Sequence, residues 1–124
     1  DRVQIIKVWV ENGKQKEKIF DVAFEEGRKR NSKTGKLVAV GDTVNLKTAK
    51  YTNSIGSTEL STVWRDPEFD ASKPAAYYAR VLEIPTPRWT TLLAVQNKLP
   101  LTKGKPATIQ ERAFSSPIWY SPAS

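Results

Sequence analysis

The 124-residue sequence contains no cysteine, no histidine and no methionine. Without Cys there is no disulfide and no thiolate nucleophile. Without Cys and His together, zinc sites built from thiolate and imidazole are excluded. Without His, the side chain best suited to proton transfer near neutral pH is missing. These gaps disfavour an independent hydrolase, although paired carboxylates could still do acid–base work. Zero Cys suits cytosol and periplasm alike. No apolar run approaches the length of a membrane-spanning helix, and no basic-then-apolar opening looks like a signal peptide. The chain opens at Asp1, and a natural reading frame would begin with Met. A mature fragment or an excised piece of a longer protein is therefore expected, forming a single β-rich domain over residues 1–124.

The residues that are present pattern as strands. The stretch VQIIKVWV, Val3 to Val10, is β-branched and aromatic, with apolar residues on both alternating faces. A strand of that kind is usually covered on both sides. Asn12-Gly13 then signals a tight hairpin turn into EKIFDVAF, Glu17 to Phe24. After a basic loop, KLVAVGDTVNLKTAKYT reads as a broken strand pair punctuated by Gly41-Asp42. GSTELSTVW reads as a further strand with Leu60 and Val63 buried. AAYYARVLEI, Ala75 to Ile84, is the clearest later strand, and ATIQERAFSSPIWY supplies closing strands kinked near Ser116-Pro117. Only Thr90–Leu99 could form a helix, and the tail SPAS is expected to fray. Short strands separated by turns predict an all-β fold, an antiparallel β-sandwich or barrel with the sandwich preferred, and one short helix near residues 90–99.

The net charge of +7 suits solubility and anionic partners. Much of it lies in GRKRNSKTGK, Gly27 to Lys36, five basic residues with no acid. No stacking aromatics interleave with them, so no nucleic-acid partner is expected, and no membrane insertion. Asp66, Glu68 and Asp70 recur at spacings of two, as in a calcium loop. Ala71 stands where such a loop needs glycine and Tyr77 where it needs glutamate, so an Asx-type turn competes with the metal reading.

The segment RVLEIPTPRWTTLL interrupts a strand with Pro85 and Pro87 and then presents Arg88 and Trp89. Both missing N–H donors fall on one side, which leaves a stiff extended strap whose proline edge cannot pair with a strand. Arg88 could grip a carboxylate bidentately while Trp89 fills a pocket. Arg65, Arg80, Arg88 and Trp89, with Trp119 and Tyr120, are therefore the candidate interdomain or ligand contacts. The competing structural roles are an Arg80 paired with Glu83 or Glu111, and a Trp119 and Tyr120 that close the core. Four tryptophans also leave a carbohydrate-stacking platform open, supplied by PRW and SPIWY.

The segments DRVQIIKVWVENGKQKEKIFDVAF, GDTVNLKTAKYTNSIGSTELSTVWRDPEFD, YYARVLEIPTPRWTT and IQERAFSSPIWYSP together resemble the C-terminal region of a large bacterial family of unknown function. Its members look like distant relatives of the polymerase-and-histidinol-phosphatase (PHP) metal-dependent phosphoesterases. The resemblance implies a divalent metal held by His and Asp residues of a larger N-terminal domain, and often a periplasmic or cell-envelope setting. No ligand of that metal can be assigned here, where His is absent. The expectation is a non-catalytic C-terminal β-sandwich domain, without a cofactor of its own, packed against an N-terminal catalytic domain. The alternative is a carbohydrate-binding module.

Overall fold

The computed structural model describes residues 1–123; the expected fraying of the tail at Ser124 lies outside the described residues. The fold is mostly antiparallel β with one short helix among the described residues, and its sheets do not close into a barrel. Strand β1 (Arg2–Glu11) and strand β2 (Lys14–Phe24) form the predicted hairpin. Asn12 and Gly13 occupy its turn at φ +52° and +71°, the left-handed pair that matches the strands' twist. Strand β3 (Ala75–Leu82) pairs with the other edge of β1, so β1 is central.

Pro85 and Pro87 end that sheet. The chain leaves β3, and Thr86–Pro87 forms strand β4, which pairs with strand β5 (Thr108–Ile109) in a separate ribbon. Arg88 N donates to Ala107 O (2.9 Å). The strap thus pairs along the edge that keeps its N–H groups, while the proline edge carries no strand.

Helix α1 follows at once as Trp89–Gln96. It ends three residues short of the expected Leu99. Lys98 turns left-handed (φ +55°), Leu99 N reaches back to Ala94 O (2.8 Å) and Lys98 N to Val95 O (3.2 Å). That paired closure satisfies carbonyls the helix end would otherwise orphan.

The closing strands are β6 (Arg112–Phe114) and β7 (Ile118–Tyr120), both paired with β3 and separated at the expected Ser116-Pro117 break. The strand expectations for residues 36–52 and 56–64 fail. Only isolated bridges form, Arg30 with Leu37 and Asn45 with Lys50, and GSTELSTVW is irregular. Val63 is 96% exposed. Side-chain-to-backbone bonds hold this region instead: Asp42 to the Val44 N–H (2.8 Å), Asn45 to the Lys47 N–H (2.9 Å), and Thr43 Oγ1 to Thr52 O (2.7 Å). Such local acceptors compete directly with a strand ladder.

Candidate functional site

The register divides the main sheet into two faces with different fates, since side chains alternate across each strand. One face carries Val3, Ile5, Lys7 and Trp9 of β1, opposite Phe20 and Lys18 of β2 and Tyr77 and Ala75 of β3. The irregular segment after Gly56 lies over this face. Trp64 packs its ring on Phe20 with centroids 5.0 Å apart. Phe69 meets Tyr120 edge-on at 4.9 Å, and the Tyr120 hydroxyl donates to Ala71 O (2.9 Å). Tyr120 therefore holds the DPEFD loop against the sheet.

Lys7 anchors the same loop. Its ammonium donates to Asp66 Oδ2 (2.5 Å) and Glu68 O (2.8 Å), and the Tyr77 hydroxyl donates to Asp66 Oδ2 (2.8 Å). The Lys7 and Asp66 side chains are 9% and 5% exposed. Burial pushes the Asp66 carboxyl up. Hydrogen bonds from Lys7, the Glu68 N–H and Tyr77 outweigh that and hold it below the usual carboxylate range. The Tyr77 phenol is pushed up to about 12, by burial first and then by its bond to Asp66 and that residue's charge.

The candidate calcium ligands do not converge. Asp66 serves Lys7 and Tyr77, Glu68 pairs with Lys18, and Asp70 accepts from the Ser72 N–H (2.9 Å) and hydroxyl (2.6 Å). Among the described residues no group of three His, Cys, Asp or Glu is placed to hold a metal ion. The donor set gives neither the calcium loop nor a transition-metal site, and the DPEFD spacing builds Asx-type turns. Lys7 was not among the candidate residues; its one visible sign was a lysine on a face of β1 otherwise formed by Val3, Ile5 and Trp9.

The outer face of the sheet is different. Across its middle run Ile19, Ile6 and Tyr78, flanked by Val8, Ala76 and Trp119 on one side. Ile6 is fully buried, yet the surrounding Val10, Ile19, Phe114 and Trp119 are 65%, 45%, 60% and 77% exposed. Beside them a polar rung crosses the sheet: Arg80 Nε donates to Gln4 Oε1 (2.8 Å), and Gln4 Nε2 donates to Asp21 Oδ1 (2.7 Å). Arg80 therefore pairs with neither Glu83 nor Glu111 but with Gln4, and Trp119 projects outward instead of closing the core. Phe114 rests 6.4 Å from Tyr78, centroid to centroid.

The basic loop folds onto one end of this sheet. Arg28 donates to Asp1 Oδ1 (2.5 Å) and Val38 O (2.5 Å), and Arg30 donates to Asp21 O (3.0 Å) while lying over the Phe24 ring. Its two arginines thus serve internal acceptors, and Lys29, Lys33 and Lys36 remain exposed.

The strap places the remaining candidates. Trp89 begins helix α1 and is 69% exposed. Arg88 Nε is buried with no hydrogen-bond partner among the described residues. Arg65 is exposed one residue before the Lys7-bound Asp66. Trp119 and Arg80 share the outer face, Tyr120 belongs to the covered face, and Arg88 and Trp89 sit apart on the strap. Among the described residues no helix is long and apolar enough to cross a membrane.

The family model described as Protein of unknown function (DUF3604) matches residues 1–122, and the chain belongs to that family. That description carries no activity and offers no support for the kinship with PHP hydrolases. No curated protein and no solved structure matches the chain.

Proposed function

With membership of DUF3604 as the premise, we propose that this segment is a non-catalytic packing domain. It lays the outer face of its sheet, with the Arg88-Trp89 strap, against a second domain of the same protein. The reading rests on one observation: Val10, Ile19, Phe114 and Trp119 stand exposed together on the outer face. Exposed apolar groups that share a face mark an interface more often than a free surface. On this reading the partner is a metal-dependent hydrolase domain, as the resemblance to PHP-like proteins implies, and any metal is held by that domain's own residues.

Hydrogen exchange on the full-length protein tests this. Peptides covering β2, β6 and β7 should exchange several-fold faster in residues 1–124 alone than in the full-length protein. Trp119→Ser should open the same peptides in the full-length chain. Equal exchange in the two forms refutes packing through this face.

A carbohydrate-binding reading draws on one observation, the exposure of both Trp89 and Trp119. It requires oligosaccharide to shift tryptophan emission and the Trp119→Ser substitution to abolish that shift, with exchange at β2 unaffected by the second domain.

A further inference from the structure

The Arg88 guanidinium has no hydrogen bond or ion pair among the described residues, and its Nε is shut away from solvent without an acceptor. A buried donor left unmatched carries a desolvation penalty, and for a charged group that penalty is larger than for a neutral one. Native structures rarely retain such a group without a role.

The side chain lines an open pocket of about 580 Å³ between the strap and β5. Arg112, Thr108, Glu111 and the rings of Pro85 and Pro106 complete much of the wall. Gln110 also lines it, but its amide already donates to Asp1 Oδ2 (2.8 Å) and Glu83 O (2.9 Å). The donors left for an incoming group are therefore the Arg88 fork, Arg112 and the Thr108 hydroxyl. Two arginines against one glutamate leave a formal charge of +1 at the pocket. That excess matches a singly charged anion, and Glu111 repels a phosphate dianion. The two parallel N–H groups on the Nε edge of a guanidinium fit the paired oxygens of a carboxylate.

We propose that this pocket receives an Asp or Glu side chain from the domain that packs against this one. The carboxylate draws the Arg88 fork out of its unmatched position and bridges it to Arg112, which lines the same pocket. The inference rests on the packing reading and adds the chemistry of the partner. The two stand or fall by different measurements, because the pocket belongs to the strap and the exposed rim to the sheet.

Arg88→Lys in the full-length protein tests it by zero-length cross-linking. A carbodiimide joins an amine to a carboxylate only where the two already touch, and arginine does not react. Peptide mass spectrometry should find the new amine at position 88 joined to an Asp or Glu outside residues 1–124, with no such product in the unsubstituted protein. Arg112→Lys should reach the same carboxylate from β6, and it serves if the first variant misfolds. The exposed Lys18–Glu68 pair should cross-link in every sample and reports that the reagent worked. Coupling only to Glu111, coupling to a second copy of the chain, or no product at either position beside a normal Lys18–Glu68 link overturns the proposal. In each of those cases, continued protection of β2, β6 and β7 in the full-length protein leaves the packing reading standing.

Discussion

Replacing Asp66 by alanine should unfold this chain more readily than any single surface change. The Lys7 ammonium would keep one acceptor, Glu68 O at 2.8 Å, and the Tyr77 hydroxyl would keep none. Both charged side chains are at least nine-tenths buried, so water cannot replace the lost partner cheaply. Removing one member of a buried ion pair costs about 3–5 kcal/mol. For a domain of this size that lowers Tm by on the order of 15 °C. Lys7→Met should cost less, because Asp66 keeps Tyr77 and the Glu68 N–H, at 2.9 Å from its other oxygen. The double variant strands no buried charge, so the two losses should fall short of adding by about 1–3 kcal/mol. Urea unfolding followed by tryptophan emission measures all four corners of this cycle, with Trp64 and Trp9 close to the affected loop. The pH dependence gives a second readout. The Asp66 carboxyl is held below its ordinary value in the fold, so its contribution is complete above the unfolded pKa of about 3.9 and fades as pH falls through the lower folded value. Asp66→Ala should lack that acid limb. An Asp66→Ala variant within about 1 kcal/mol of the parent would refute the claim that this contact holds the loop.

Tyr77 works in the opposite direction: its folded pKa of about 12 exceeds the unfolded value near 10, so its contribution is complete below pH 10 and is lost as pH rises towards 12. Tyr77→Phe should flatten that alkaline limb, and absorbance titration should show one phenol ionising later than the rest. Gly56 sits at φ +72°, and a Cβ there would stand 2.9 Å from Ile84 Cγ2 and 3.6 Å from Asp1 N. Gly56→Ala should therefore cost about 1–3 kcal/mol in denaturant unfolding, whereas the same change at Gly104, where nothing lies within 4 Å, meets only the backbone strain.

The elements whose stability is local were legible in the chain. Asn12-Gly13 demands a left-handed turn wherever it occurs, and the β-branched runs on either side of it have little alternative to pairing. The proline pair ended β3 near its expected point because a missing N–H acts on the backbone itself. The helix was placed to within a turn, and its early stop came from Lys98 adopting a conformation that no residue type there announces. Of the candidate contacts, Trp89 is exposed and Arg88 Nε has no partner among the described residues, whereas Tyr120 turned inward to Phe69, and nothing in the sequence separates it from its neighbour Trp119.

Alternation by itself determined which residues share a face, and so brought Val8 and Ile6, or Lys7 and Trp9, to one side. It carried no information on which face would find a cover. That was decided by contacts across long stretches of chain: Lys7 with Asp66, Phe20 with Trp64, and Tyr120 with Phe69. The segment that supplies Trp64, Asp66 and Phe69 has no regular structure: Ser57, Asp66 and Asp70 bind backbone groups two residues on, and its docking depends on single side chains instead of a ladder. The sequence alone therefore settled the sheet's hairpin, its breaks and its helix. Only the tertiary structure decided that one apolar face is closed by a pinned loop and that the other keeps its rim of apolar side chains in solvent.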